Sequence, residues 1–303
     1  MLTKANFGAY IRSGQNKIFN ESYESTPHQF DAIFQQYDIK EKSMGLYLGQ
    51  SFSAWSSNSE GSPIATEDLD NIVTISVIPQ RYDKGYTVSY ELLQDDELGV
   101  FSGNAGMGGN AKSLGRSLYA TIETLAASVL STGATTNWLG SEKFFATAHK
   151  PSTSSSTGTT ISNQLAATAL TETGLKSAAS LVRSHVDHSG TLPIGAIPKF
   201  LIVHPNDEYT ARSILNPVTL DNLGLTTSAP NLELVVLDYL ENDKAWYVKA
   251  GNTENLAFVW RERPTFGAQA VPGSLDWLFY GYTRMAAKAG DWRGIVQAVK
   301  PTS

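Results

Sequence analysis

The sequence predicts an α+β chain: one long helix, an extended strand-rich tongue before it, and an alternating helix and strand unit after it. Three observations carry this prediction. Residues 109–133, GNAKSLGRSLYATIETLAASVLSTG, place Leu114, Leu118, Ile122, Leu125 and Val129 at steps of four, four, three and four, one stripe of a 3.6-residue period. Val73, Ile75 and Val77 alternate with Thr74 and Ser76, the period of a strand buried on one face. Beyond residue 170 the pattern switches repeatedly between helical spacing and short apolar runs.

In chain order, the first forty residues carry scattered aromatics (Phe19, Tyr23, Phe30, Phe34, Tyr37) and a short helical pattern through HQFDAIFQQY. The apolar density is too low to close a core, so this stretch reads as an arm that needs another surface to lie on. LYLGQSFSAW and IVTISVIPQRYDKGYTVSY flank the soft stretch SSNSEGSPIATEDLD. They predict two long strands around a Ser/Gly/Pro tip. Such a hairpin is marginal alone and offers unpaired edges to a neighbour. GNAGMGGN, residues 103–110, is a glycine-rich break leading into the helix. It is no phosphate loop, because Asn110 and Ala111 separate Gly109 from Lys112. The helix itself spans ~37 Å at ~1.5 Å per residue, a spine for other elements, with Gly133 where a C-terminal cap belongs.

After a Ser/Thr tract, TETGLKSAASLVRSHVDHSG predicts a helix opened by Thr171 and closed near Gly190. KFLIVHP predicts a buried strand, and NDEYTARSILN a second helix capped by Asn206. NLELVVLDYL and KAWYVKAG predict further strands. The tail from residue 256 predicts three more, with a Pro/Gly-rich bend between the first two. No internal repeat is visible.

Composition excludes several function classes. Among 303 residues only 17% are charged, against ~25% in an average chain, and the net charge is −6. Uncharged polar surface is cheaper to desolvate than Lys and Glu, which suits a protein that buries much surface against partners. No basic stripe is present to neutralise phosphates, so sequence-specific nucleic-acid reading is excluded. No apolar run reaches ~20 residues, and the N-terminus has no apolar core of signal-peptide length. The absence of cysteine excludes disulfides, thiolate nucleophiles and Cys-ligated zinc.

Candidate chemistry is weak throughout. His149 precedes the tract STSSSTGTT, but a low-complexity run does not hold a hydroxyl nucleophile in place, and no G-x-S-x-G elbow occurs. His149 is therefore read as a residue at the mouth of a loop. His185, Asp187 and His188 offer metal-ligand types, yet on a helix Asp187 would point away from the two histidines. The acidic clusters LQDDEL and ATEDLD read as solvated turns or as intersubunit partners for Arg81, Arg261 or Arg263. The tryptophans and tyrosines in strand patterns (Trp246, Trp260, Trp277, Trp292, Tyr280, Tyr282) read as core or interface. No catalytic, cofactor-binding or metal-binding residue is assigned, and no cofactor is expected.

The order of segments resembles the Hong Kong 97-type major capsid fold, and several stretches are similar to the Mu-like bacteriophage major head subunit family. These are RYDKGYTVSYELLQDDELGVF (81–101), LGRSLYATIETLAASVL (114–130), KFFATAHKP (143–151), PKFLIVHPNDEYTARSIL (198–215), AWYVKAG (245–251) and GDWRG (290–294). FFATAHKP, leading into a Ser/Thr/Gly stretch and SNQL, is the most distinctive of them.

The resemblance implies an N-terminal arm at 1–38 that lies across a neighbour, and an extended loop at 39–88 that overlaps an adjacent subunit. It implies a peripheral domain at 89–151, with its spine helix near 107–132, and an axial domain at 152–252. The strands of 253–303 would return to the peripheral domain. His149 would sit at a domain junction, and the Gly-rich 103–110 stretch and the bend of the spine would be hinges. The implied function is the major capsid protein of a tailed bacteriophage, forming hexamers and pentamers of an icosahedral shell around double-stranded DNA. The implied partners are copies of itself, a portal, a scaffold or protease, a decoration protein, and DNA held without sequence reading; no membrane is involved. Assembly would occur in the host cytoplasm. The crosslinking seen in some members of the fold is not carried over, because no motif singles out Lys40, Lys42 or an asparagine for it. Two other readings compete. A tail-tube or decoration protein is one, although a tail tube should be mostly strands. A soluble hydrolase using His149 and a hydroxyl of the adjacent tract is the other.

Overall fold

The C-terminal strands are the frame on which everything else is laid. The computed structural model describes residues 16–48, 52, 54–64, 66, 73–89, 91, 109–150, 160–187, 190, 192–215, 231–241 and 243–301. Strands β1 (Gln35–Asp38), β4 (Gln80–Val88), β11 (Leu256–Ala270) and β12 (Trp277–Ala289) form a four-stranded sheet in the order β1-β11-β12-β4. β1 runs parallel to β11, and the other pairs are antiparallel. β5 (Asn137–Leu139) and β6 (Glu142–Lys143) form a small antiparallel pair, and a five-stranded sheet has the order β7-β13-β10-β8-β9, from β7 (Gln164–Leu165), β8 (Pro198–Val203), β9 (Glu233–Val236), β10 (Ala245–Ala250) and β13 (Ile295–Val299). The predicted bend between the first two tail strands is found at 271–276.

Every residue of β10 is buried, because both faces of its sheet are covered. On one face Phe200, Ile202 and Tyr247 join Phe258 and Trp260 of β11 and Ile122, Ala126 and Leu130 of the spine helix (Asn110–Ser131) in one core. On the other, Leu201, Val203, Trp246, Val248 and Val296 pack on Leu175, Ala178 and Val182 of the helix Glu172–Ser184. The core is thus continuous from one sheet to the other.

The spine helix is where the periodicity places it, but its buried stripe is displaced. Ala111, Leu114, Gly115, Ile122, Glu123, Ala126, Ala127 and Leu130 are buried, whereas Leu118, Leu125 and Val129 are only partly so. Gly133 is not a left-handed cap: the helix stops at Ser131, and the space at Gly133 is filled by the Phe145 ring.

Three other expectations are corrected. The long strand predicted over 72–90 is two. It breaks at Ile78–Pro79, where proline has no N–H for a ladder. β3 (Val73–Val77) pairs with β2 (Met44–Leu48) as the base of the tongue, while β4 crosses to β12. The helix after Thr171 has its predicted cap, with Thr171 Oγ1 accepting from Gly174 N–H at 3.1 Å, but it ends at Ser184 instead of near Gly190. Tertiary bonds of the His185 ring hold that residue extended at the helix end. Asn206 is not a cap: His204 Nδ1 accepts from Asn206 N–H (3.1 Å) ahead of a short 3-10 turn, and the helix Glu208–Leu215 follows.

The arm also differs from expectation. Residues 16–38 lie on their own chain. Residues 16–24 are helical, Phe19 is fully buried, and Phe30, Ile33 and Phe34 enter the main core. The arm helix seats on the spine at Gly115, where a Cβ would stand 2.8 Å from the Phe19 carbonyl oxygen. Ser22 Oγ donates to Lys112 O at 2.9 Å beside it. Gly115→Val should therefore destabilise the protein by about 2 kcal/mol through overpacking. Limited proteolysis should then release the arm before the spine helix is cut, with thermal unfolding giving the size of the loss.

Candidate functional site

Two places stand out: the junction where the chain passes between the sheets, and the exposed tongue. Among the described residues the chain crosses at three places, at 144–150 with 160–163, at 251–255 and at 290–294, and all three meet in buried polar contacts. Asn163, fully buried, uses every side-chain position. Its Oδ1 accepts from Ala146 N–H (2.9 Å) and from His149 Nε2–H (3.0 Å), and its Nδ2 donates to Phe144 O (2.9 Å) and Trp292 O (3.3 Å). Asn255, also fully buried, donates through Nδ2 to the carbonyls of Asp291 and Arg293, and its own carbonyl accepts from Gly290 N–H (2.7 Å). An amide suits such a place because it offers two donors and an acceptor without a charge to desolvate.

His149 lies inside this junction. Its backbone bridges Ile161 and so closes the loop between them, its ring stacks on Trp292 at 4.2 Å and 7°, and only 1% of it is exposed. Burial lowers its pKa to about 4; the Asn163 bond opposes this and the Arg293 charge adds to it. A neutral, enclosed imidazole with its Nε2–H committed to Asn163 is a packing and bridging group at a loop mouth. The tract 151–159 lies outside the described residues.

His185 is not on a helix, so the helical-face argument for a metal does not apply. Its Nδ1 accepts from Gly294 N–H (2.8 Å) and its Nε2–H donates to Ser162 O (3.2 Å). Burial lowers its pKa to about 4 as well, and the Ser162 carbonyl opposes the shift. Asp187 Oδ1 accepts from Leu192 N–H, and His188 lies outside the described residues. Among the described residues no group of three His, Asp or Glu side chains is placed to hold a metal ion. Lys249, 5% exposed, donates to Ala250 O and Thr253 O across the second crossing, and burial brings its pKa down to about 8.

Of the arginines read as intersubunit partners, two have partners within the chain. Arg263 pairs with Asp38 (2.7 Å) and Arg81 with Asp83 (2.9 Å). The cluster LQDDEL, most of ATEDLD and the 103–108 part of the glycine-rich stretch lie outside the described residues.

A second buried polar node was missed by sequence reasoning. Glu123, 2% exposed on the spine helix, accepts from His28 Nδ1 (2.8 Å) and Gln29 N–H (3.0 Å). Tyr23, Phe30 and Tyr119 surround the His28 ring. Gln29 exchanges two hydrogen bonds with Asp238 after β9 (2.6 and 2.8 Å). A lone glutamate in an apolar helix is the only sequence signal for this node, because its partners are more than ninety positions away.

The tongue contrasts with both nodes. Leu48, Ile75 and Val77 at its base are buried. Beyond them residues 54–64 are all exposed, with Trp55 at 98% and Ile64 at 89%. Large apolar side chains held clear of the body mark a contact surface.

The model of the family described as "Phage capsid protein" matches residues 72–298. The chain belongs to the phage capsid protein family. Its fold is the Hong Kong 97-type capsid fold, shared with solved structures of low sequence identity. The subunit of the bacteriophage JBD30 procapsid matches with a TM-score of 0.55 at 15% identity, over 100% of this chain and 77% of that one. The capsid of the cyanophage P-SCSP1u matches at 0.56 and 11%, over 90% and 88%. The virus-like particle from Pyrococcus furiosus matches at 0.51 and 12%, over 96% and 98%. No curated protein sequence matches. Membership of this family makes the chain a phage capsid protein, a structural protein of the virion shell. Among the described residues no helix is long and apolar enough to cross a membrane.

Asn163→Ala should lower the stability of this capsid subunit by about 3 kcal/mol, because it strands two donors and two acceptors in a buried site. Thermal unfolding of the purified protein measures the loss.

Proposed function

We propose that the subunit builds hexamers and pentamers of an icosahedral head around double-stranded DNA, as the Mu-like major head subunits do. The stretch FFATAHKP followed by SNQL supports that subgroup: it supplies His149 and Asn163, which meet at the junction. In this reading residues 1–38 are an arm, 39–88 carry the extended loop, 89–151 and 253–303 form the peripheral domain, and 152–252 form the axial domain around the symmetry centres. Portal, scaffold or protease, and a decoration protein would act during assembly in the host cytoplasm. DNA would be held by confinement, which a net charge of −6 favours over tight phosphate binding.

The observation that carries the reading is the tongue. Its base is anchored by buried Leu48, Ile75 and Val77, while Phe52, Trp55 and Ile64 face outward. Overlap on an adjacent subunit gives these side chains a surface, and ring closure makes each weak contact multivalent.

Negative-stain electron microscopy of the expressed protein should show shells, tubes or rings of five or six subunits; a monomer at high concentration would count against the reading. Trp55→Ser combined with Ile64→Ser should leave the circular dichroism of the subunit unchanged and reduce particle yield roughly tenfold or more. Assembly of the double variant at the wild-type level would show that the tongue is not the contact.

A further inference from the structure

We propose that His185 is a proton-operated latch on the turn 290–294, through which the chain passes from the four-stranded to the five-stranded sheet. The inference concerns the subunit's own crossing and does not depend on the shell geometry proposed above.

The hydrogen-bond roles at His185 carry the argument. Gly294 N–H can only donate and Ser162 O can only accept, so Nδ1 is the acceptor and Nε2 carries the proton. The ring, fully buried, is held in one neutral tautomer. A second proton has one place to go, Nδ1, where it would face the Gly294 N–H, donor against donor. The turn cannot swing aside without further loss. Gly294 sits at φ +81°, with the Thr253 side chain filling the position a Cβ would take, and its carbonyl accepts from Ala250 N–H at 2.7 Å. Protonation of His185 therefore breaks the bond that ties the third crossing to the end of the helix Glu172–Ser184.

His149 faces the other side of Trp292 but bonds to Asn163 of the first crossing, so breaking the Gly294 bond alone leaves it enclosed. That indole stacks on His149 and meets the edge of His185 at 5.5 Å and 75°. A charge on either ring would be buried beside the Arg293 guanidinium, which lies 4.6 Å over Trp292 and donates to Val186 O. Among the described residues the segments packed here carry Lys150, Arg183, Asp187, Lys249, Glu254, Asp291 and Arg293. Arg293 opposes protonation of both rings, and its partner Asp291 favours it at His185. Asp187 follows the helix, and Lys249 spans the second crossing. Burial outweighs them and holds both imidazoles near about 4.

The direction with pH follows. A histidine whose pKa is depressed in the closed state favours closure fully above its ordinary value of about 6.5. That advantage is lost as pH falls from there towards about 4. Between pH 7 and pH 4.5 the opening constant of the turn should rise about 60-fold for one such histidine. The C-terminal part of the spine helix, 124–131, packs on the shared core through Ala126, Ala127 and Leu130, carries no titratable side chain and should stay closed.

Hydrogen–deuterium exchange of the full-length protein, read by mass spectrometry on peptides covering 286–296 and corrected for intrinsic rates, tests this. The wild type should show the rise of about 60-fold, reversibly, while spine-helix peptides covering 124–131 stay protected. His185→Asn, whose Oδ1 keeps an acceptor near Gly294 N–H without titrating, should show a change of a few-fold at most. An equal rise in both proteins, or none in the wild type, overturns the proposal. Should that variant not fold, exchange at the histidine C2 position in the wild type decides independently. A midpoint near 4 at His185 supports the latch, and an ordinary midpoint near 6.5 with the turn still closed overturns it.

Discussion

Every part of this subunit depends on making three backbone crossings between two sheets in a buried place. A crossing strand leaves its ladder, so its N–H and C=O groups lose their regular partners just where water is excluded. The protein solves this with side chains that imitate backbone. Asn163 ties the first crossing to the third, Asn255 ties the second to the third, and the His185 ring accepts from Gly294 N–H as a carbonyl would. All of them converge on GDWRG, residues 290–294, which explains why so short a segment carries two glycines, an indole and an ion pair. The two sheets are consequently fixed to each other both by the shared core and by this polar lacing.

The His28–Glu123 node extends the same logic to the arm. A carboxylate buried at 2% in the middle of the spine needs compensation, and it draws His28 and the Gln29 amide onto the helix. Gln29 in turn binds Asp238, so the arm, the spine and the loop after β9 meet within three residues. The arm is thereby part of the body. Its aromatic residues are sparse because they complete an existing core instead of founding one.

What could be read from the sequence follows from the range of the interactions. The spine helix and the alternation in β3 are local periodicities, so both were legible. The three tail strands were legible for the same reason. The split at Ile78–Pro79, the early end of the helix at Ser184 and the seat of the arm on Gly115 depend on partners distant in the chain, and no pattern within a short window reports them. His149 illustrates the division well. Its place at a loop mouth was legible from the tract that follows, whereas its real partners, Asn163 and Trp292, are a bridging amide and a stacked indole that only the fold brings together.

The tongue obeys the opposite constraint. The lacing at the crossings pairs both buried amides, Asn163 and Asn255, yet residues 54–64 leave an indole and an isoleucine in water above a well-packed base. Burying one such side chain yields about 2 kcal/mol, too little to hold two subunits together alone. Such weakness suits a closed shell. Contacts that are individually reversible let a misplaced subunit leave, while a subunit held on several sides at once stays. A tongue stiffened by charge would also repel its copies, and no basic residue lies between 43 and 72, where the acidic ones gather towards the second half. On the proposed reading, the stability of the subunit and the stability of the shell are assigned to different parts of the chain, and neither has to be weakened to serve the other.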